Sequence, residues 1–157
     1  MATVKLSQSR AVPVPVEEAF DRVLPHPLPE VFRRRSLAIP PIKDVRGQVG
    51  EWGSAGETRT IVLADGGTML ETLTDVQRPH DFGYTITGVT GAMKPLVSSA
   101  VGRWSFEPAG TGTRITWTWE LTPTSLGRLA MPAFGAMWNG YARKALEEIE
   151  RILLTQN

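Results

Sequence analysis

The sequence predicts an α+β fold in which a curved antiparallel sheet of about seven strands wraps around one long C-terminal helix. Between residues 42 and 123, apolar side chains recur at every second position, and short turn signals separate the runs, which is typical of sequential strands. In the last thirty residues the apolar spacing changes to three and four, which indicates a helix. At 157 residues with 41% hydrophobic content, the chain fits one globular domain over residues 1–157.

The N-terminal segment predicts one strand and two short helices. Val4 and Leu6 open a strand, and the prolines that follow it restrict it to a sheet edge or an ending. Val16–Leu24 predicts a helix, because a proline precedes it and acidic residues occupy its first turn. Three further prolines end this helix, and a second one is predicted at about Pro29–Arg35.

Six strands are predicted after this helical pair. They are Ile42–Trp52, Glu57–Ala64, Thr68–Val76, Phe82–Thr87, Val101–Pro108 and Thr113–Pro123. Short connections between sequential strands imply antiparallel neighbours. A three-residue loop at Asp65–Gly67 would place Leu63 opposite Met69 and Ile61 opposite Glu71. The longer segment Gly88–Ser99 predicts a loop at the rim of a pocket.

The last two strands and the helix after them indicate what the sheet encloses. One face of these strands is apolar and aromatic, and it carries Trp104, Phe106, Ile115, Trp117, Trp119 and Leu121. Because the other face is polar, the apolar face needs a cover. The helix at about Thr124–Leu154 supplies an apolar stripe from Leu126 and Leu129 onward, and Pro132 should kink or divide it. A sheet curled around this helix predicts a pocket for a hydrophobic molecule.

Several motifs carry a resemblance to a known family. They are Val14–Val16 with Phe20, Gly50–Trp52, Gly56–Arg59, Gly67 with Glu71, Pro79–Tyr84, Gly102–Pro108 and Gly112–Trp117. In this pattern the chain resembles the START-like, Bet v 1-like superfamily (SRPBCC), specifically bacterial polyketide cyclase/dehydrase and lipid-transport-like proteins, over nearly its whole length. The resemblance implies the helix-grip fold. It implies no single function, because that family includes ligand carriers, cyclases and stress-associated proteins on one scaffold.

Three polar residues are predicted to lie on the inner face of the sheet. The alternation that turns the apolar residues of these strands inward also turns Arg59, Glu71 and Tyr84 inward. A buried charge is costly unless paired, so these side chains are expected to cluster. The cluster is a candidate for anchoring a ligand, with Glu71 as a general base if burial raises its pKa. A structural ion pair, or a register slip that places the residues outside, remains open as an alternative.

The candidate walls of the pocket are bulky and aromatic. They are Trp104, Trp117 and Trp119 from the strands and Phe134, Met137, Trp138 and Tyr141 from the helix. Aromatic and methionine side chains suit a pocket for a planar or hydrophobic ligand, and the same residues also suit a solid core.

Composition excludes several other classes of function. The formal net charge of +1 offers no electrostatic case for nucleic acid, and Arg33–Arg35 is predicted to be a solvated helix end. The sequence has no cysteine, which excludes disulfides, thiol nucleophiles and zinc–thiolate sites. His26 and His80 have no partners at metal-ligand spacing, so neither a metal nor another cofactor is expected. No run is long enough to span a bilayer, and the first ten residues lack the apolar core of a signal peptide, so a cytoplasmic location is expected.

The sequence therefore predicts non-covalent binding of a hydrophobic or amphipathic small molecule, such as a lipid or a polyketide-like aromatic metabolite. Two alternatives remain open. The first is a cyclase-, aromatase- or dehydratase-like enzyme that uses Arg59, Glu71 and Tyr84 in the same cavity. The second is an interaction or regulatory protein whose tryptophans fill the core.

Overall fold

A computed structural model describes residues 2–155, so residue 1 and residues 156–157 of the predicted domain lie outside the described residues. Seven strands and three α-helices follow in the order β1, α1, α2, β2–β7, α3. The strands are β1 Val4–Val12, β2 Ile42–Arg46, β3 Thr58–Leu63, β4 Thr68–Gln77, β5 Asp81–Thr87, β6 Val97–Ala109 and β7 Gly112–Pro123. The helices are α1 Val16–Val23, α2 Leu28–Val31 and α3 Ser125–Leu154.

The strands form one antiparallel sheet in the order β1-β7-β6-β5-β4-β3-β2. β1 is an edge strand that pairs with β7 along nine residues, from Val4 opposite Leu121 to Val12 opposite Thr113. Along β7 every second side chain is buried, as the alternation in the sequence predicts. The predicted α+β architecture, with two short helices after the first strand and one long helix at the end, is confirmed.

The long helix α3 begins with a capped turn and buries its C-terminal part. The Thr124 hydroxyl accepts a hydrogen bond from the Gly127 amide at 2.8 Å, which satisfies one of the free donors at the helix start. From Phe134 onward, buried residues recur at three- and four-residue steps through Trp138, Tyr141 and Ala145. This stripe covers the apolar face of the sheet and forms the core with it.

The N-terminal part of α3 differs from the prediction. The helix continues through Pro132 without being divided, and two residues of the predicted stripe, Leu126 and Leu129, are 62% and 84% exposed. Gly127 causes this orientation. It is buried against the Leu96 carbonyl, where a Cβ would overlap the backbone, so the neighbouring leucines face outward.

Two other elements are shorter than predicted. Strand β2 ends at Arg46 instead of Trp52, because Gly47, Gly50 and Gly56 adopt positive φ angles and form a loop. Trp52 lies in this loop, yet its side chain is only 2% exposed. Helix α2 is a single turn, Leu28–Val31, in place of the predicted Pro29–Arg35.

The register of the β3–β4 hairpin also corrects the prediction. Ile61 lies opposite Met69 and Arg59 lies opposite Glu71, where the sequence predicted Leu63 opposite Met69. The Leu63 amide donates to the Gly67 carbonyl at 2.8 Å, which extends the pairing by one residue on each strand. Because the shift is even, it leaves the inward-facing set of residues unchanged and places the buried arginine and glutamate directly opposite each other.

The outer face of the sheet carries a separate charged cluster on β4, β5 and β6. The Arg103 guanidinium donates to Asp75 at 2.9 Å and to Asp81 at 2.7 Å. It lies over Gly83, where a Cβ added to the glycine would be 2.6 Å from Arg103 Nη2. All three charged side chains remain between 26% and 42% exposed.

The basic triplet Arg33–Arg35 is exposed, as predicted, but it lies beyond the end of α2 at Val31 and not in a helix, and it also contacts α3. Arg34 pairs with Glu147 at 2.8 Å, and Arg33 lies 3.8 Å from Glu148. Two of its three arginines therefore face acidic residues of the same chain.

Candidate ligand-binding cavity

An apolar cavity lies between the sheet and α3. The space open to the centre of a water molecule is about 60 Å³. Its polar lining groups include His26, Arg59, Glu71, Tyr84 and Tyr141, and the rest of the wall is largely aliphatic and aromatic. Four lining residues are only half-buried, namely Val23, Leu24, His26 and Leu28, and all of them belong to α1, α2 or the segment between them. This segment therefore forms the mouth of the cavity.

Arg59 and Glu71 form a buried ion pair in the cavity wall. Arg59 Nε donates to Glu71 Oε1 at 2.7 Å, and the two side chains are 4% and 5% exposed. Arg59 Nη1 donates to Gln48 at 3.0 Å, and its guanidinium carbon lies 3.8 Å from the Trp52 ring centre. Burial raises the pKa of Glu71 above its usual 4.5, although the Arg59 charge and hydrogen bond oppose the rise. The loop residues Gln48 and Trp52 thus hold the arginine in place.

Tyr84 is placed by a glycine on the neighbouring strand. It lies opposite Gly102, where a Cβ would overlap the phenol ring, so only glycine leaves room for Tyr84 in this position. The Tyr84 hydroxyl accepts hydrogen bonds from Trp117 Nε1 at 2.7 Å and from Trp119 Nε1 at 3.0 Å. Burial is the main cause that raises the pKa of Tyr84, so the phenol stays protonated at neutral pH.

Trp138 of α3 completes the aromatic wall. Its ring stacks on Trp117 with 4.7 Å between centroids and lies 6.3 Å from the Trp119 ring. The side chain is 1% exposed. Within residues 2–155, Trp138 Nε1 is the one fully buried side-chain nitrogen or oxygen that has no hydrogen-bond partner. A buried donor without an acceptor is costly, which makes this nitrogen the least satisfied polar atom in the wall.

Nine of the ten predicted site residues line the cavity. They are Arg59, Glu71, Tyr84, Trp104, Trp117, Trp119, Phe134, Trp138 and Tyr141. Met137 lies outside the wall, half-buried, with its sulfur 3.5 Å from the Ala38 amide. The Tyr84 hydroxyl is bonded to two indoles and not, as expected, to the Arg59–Glu71 pair. The Tyr141 hydroxyl donates to the Pro40 carbonyl.

Sequence reasoning missed several contributors to the cavity. Phe32, which follows α2, stacks on Tyr141 at 5.4 Å and lies 5.0 Å from Trp117. Met93 enters from the loop between β5 and β6. Of these, only the role of Gly102 could have been predicted from the sequence, because a glycine inside a strand often marks the close approach of another group.

The lining of the cavity is largely apolar. Its two opposite charges pair with each other, and the rest of the wall is mainly aliphatic and aromatic. In residues 2–155 no group of three or more His, Asp or Glu side chains is arranged to hold a metal ion. No helix in the same range has the length and apolarity that a bilayer crossing requires.

Comparison with known proteins gives one family match and a broad structural likeness. Residues 3–153 match the family described as polyketide cyclase / dehydrase and lipid transport. The chain is similar to the ginseng major latex-like protein 151 from Panax ginseng, with 14% identity, a TM-score of 0.72 and coverage of 99% of this chain and 100% of that chain. The protein TTHA0849 from Thermus thermophilus gives 18% identity, a TM-score of 0.69 and coverages of 96% and 97%.

A third similar structure is DynU16, a protein in the dynemicin biosynthetic locus. It gives 15% identity and a TM-score of 0.67 over 96% of this chain and 47% of that chain. At these identities the structural likeness concerns the fold alone. Among curated protein sequences, no match was found.

Proposed function

Since the chain belongs to the polyketide cyclase / dehydrase and lipid transport family, within the START-like, Bet v 1-like superfamily, we propose that it binds a hydrophobic or amphipathic small molecule in the cavity between the sheet and α3. The observation that carries the proposal is the aromatic cavity beneath a half-exposed mouth. Burial of apolar ligand surface contributes about 25 cal/mol per Å² to affinity, and a few polar groups set the orientation.

The size of the cavity adds a condition on binding. Its volume of about 60 Å³ is smaller than the roughly 150 Å³ that suffices for benzene in an engineered apolar cavity. A ligand must therefore displace side chains of the wall as it enters. Met69 and Met93 both line the cavity, and methionine adapts its shape more readily than other apolar residues.

Native mass spectrometry of the purified protein tests the proposal first. We expect a bound molecule that is released by organic solvent and identified in the extract. A titration followed by tryptophan fluorescence then uses fatty acids, polycyclic phenols and aromatic ketones. An empty protein whose fluorescence responds to none of these compounds would overturn the proposal and favour a filled core with an interaction role.

Two alanine variants on α3 make a matched pair for the same titration. Trp138→Ala removes an aromatic wall that stacks on Trp117, so ligand affinity should fall. Leu129→Ala removes a side chain that is 84% exposed and lies outside the cavity wall, so affinity should stay unchanged. Equal affinities of the two variants would contradict the assignment of Trp138 to the binding site.

A second candidate function rests on Glu71. Its carboxyl group lines the cavity, and burial raises its pKa. Such a group suits a general acid or base in a cyclase-, aromatase- or dehydratase-like reaction. Incubation with a poly-β-carbonyl compound, followed by mass spectrometry, should then show loss of water on cyclisation. Glu71→Gln should abolish that turnover and leave ligand binding intact. Equal product formation by the wild type and Glu71→Gln would remove this candidate.

A further inference from the structure

Two hydrogen-bond donors in the cavity wall have no acceptor. Trp138 Nε1 is fully buried and has no partner within residues 2–155. The Tyr84 oxygen accepts from both Trp117 and Trp119, and this hydroxyl donates no hydrogen bond in the same range. The two groups are connected through one ring, because Trp138 stacks on the indole of Trp117, which donates to Tyr84. The wall therefore offers hydrogen-bond donors where its own residues supply no acceptor.

Within residues 2–155, the one arginine or lysine in the cavity wall is already engaged. Arg59 bonds to Glu71 and Gln48 and lies against the Trp52 ring. An anionic ligand would enter a largely apolar space beside the Glu71 carboxyl group, and the Arg59 guanidinium in that wall is already paired with the same carboxyl group. Transfer of an unpaired charge from water to such a space is far more costly than transfer of a neutral polar group.

From these observations we infer that the natural ligand is uncharged and carries a carbonyl-type oxygen, which accepts hydrogen bonds from Trp138 Nε1 and the Tyr84 hydroxyl. The inference rests on the proposed binding function and specifies the chemistry of its ligand. It distinguishes ketones, quinones and esters from free carboxylic acids and from plain hydrocarbons. The two indoles that donate to Tyr84 polarise its hydroxyl, which strengthens it as a donor.

Three small probes of nearly equal shape test this inference. Acetophenone carries the carbonyl, isopropylbenzene replaces it with a hydrocarbon branch, and benzoate replaces the methyl group with a charged oxygen. Dissociation constants are measured by NMR titration of the wild type. Benzoate should bind at least about tenfold more weakly than acetophenone, because burial of its charge is costly and Arg59 is already paired with Glu71. Tighter binding of benzoate than of acetophenone would overturn the inference.

Trp138→Phe removes the unpartnered N–H and keeps an aromatic ring. It should weaken acetophenone about three- to tenfold more than isopropylbenzene, which corresponds to one neutral hydrogen bond. Trp119→Phe is the matched control from the same wall. Its N–H is already bonded to Tyr84, so its loss reaches the ligand only through the Tyr84 hydroxyl and should change the ratio between the two probes less than Trp138→Phe does. An unchanged ratio between the two probes in Trp138→Phe would overturn the inference.

A measurement on the wild type avoids any dependence on how the variants fold. In a ¹H–¹⁵N spectrum of the five tryptophan side chains, acetophenone should shift the Trp138 indole proton downfield, and isopropylbenzene should not. If both probes bind without this difference, the inference fails and the proposed binding function stands. If no probe binds, and the panel of larger ligands also gives no response, both fail together.

Discussion

On both faces of the β5–β6 strand pair, a large side chain lies over a glycine of the neighbouring strand, but the two environments are opposite. On the inner face Tyr84 lies over Gly102, and on the outer face Arg103 lies over Gly83. Each glycine lets a large side chain from the neighbouring strand lie flat against the sheet. On the inner face this arrangement places a hydroxyl group among tryptophans, whereas on the outer face it places a guanidinium group between two carboxylates.

The charged pairs on the two faces differ in the same way. Arg59 and Glu71 are 4% and 5% exposed, whereas Arg103 and Asp75 are 42% and 35% exposed. Hydrogen-bond distances alone would rank the two pairs as equals, at 2.7 and 2.9 Å. Exposure to water, and not distance, therefore decides how much stability depends on each pair.

The largest effect is expected from breaking the inner pair. Arg59→Leu leaves Glu71 buried without a partner, so the free energy of unfolding should fall by about 3–5 kcal/mol, measured by urea denaturation. The double variant Arg59→Leu/Glu71→Leu leaves no buried charge at this point and should recover most of the loss. A double variant as unstable as the single one would show that packing, and not charge, dominates here.

The two glycines provide the next test. Gly102→Ala places a methyl group where the Tyr84 ring lies, so the protein should lose about 1–3 kcal/mol of stability and part of its ligand affinity. Gly83→Ala meets the far ends of the Arg103 and Asp75 side chains, which are partly exposed and can move into water, and should cost less. Denaturation of both variants measures the difference. A larger loss for Gly83→Ala would contradict the contrast between the faces.

Lowering the pH should increase the contribution of Glu71 to stability on the inner face and remove that of Asp75 on the outer face. Burial raises the pKa of Glu71 above 4.5, so the folded protein takes up this proton first, and Glu71 adds to stability as the pH falls from 7 toward 4.5. The stability of the wild type relative to Glu71→Gln should rise over that window. The hydrogen bond from Arg103 lowers the pKa of Asp75 below 3.8. The wild type should therefore lose its stability advantage over Asp75→Asn only below pH 3.8.

Denaturation curves of the wild type and the two variants at several pH values measure both slopes. If the wild type loses stability relative to Glu71→Gln between pH 7 and 4.5, the carboxyl pKa is lowered instead, and Arg59 outweighs burial.

The smallest effect is expected from the outer cluster. Arg103→Leu breaks an exposed pair and should change the free energy of unfolding by about 0–1 kcal/mol. High salt should reduce even that difference, because it screens exposed charges. The Arg59→Leu effect should not respond to salt. Denaturation at low and high salt checks this prediction, and a salt-independent loss above about 2 kcal/mol would contradict the comparison.

The sequence predicted the inner face well, because strand alternation has a period of two. Any even shift in register keeps a residue on its face, so Arg59, Glu71 and Tyr84 were placed inside although the β3–β4 pairing was wrong by two residues. The partner of Tyr84 was not predictable in this way. It depends on cross-strand distances at Gly102, which alternation does not specify.

Helical spacing was a weaker guide at the start of α3. Leu126 and Leu129 fit the apolar stripe by spacing, but the buried approach of Gly127 to the Leu96 backbone sets the orientation of that turn. Such a contact joins residues about thirty positions apart and leaves no local periodicity. The unpartnered nitrogen of Trp138 could not be predicted for a similar reason. Whether a buried donor lacks an acceptor depends on the positions of all the side chains around it.

The pairing of β1 with β7 has a consequence for the order of folding. Val4 meets Leu121 and Val12 meets Thr113, so β1, which is made before β2–β7, completes its hydrogen bonds only after more than a hundred further residues have been made. Strands β2 to β7 pair with sequence neighbours and can assemble as synthesis proceeds. Closure of the cavity therefore waits for its most distant contact, and contacts between residues far apart in the sequence slow folding because the long loop between them must close first.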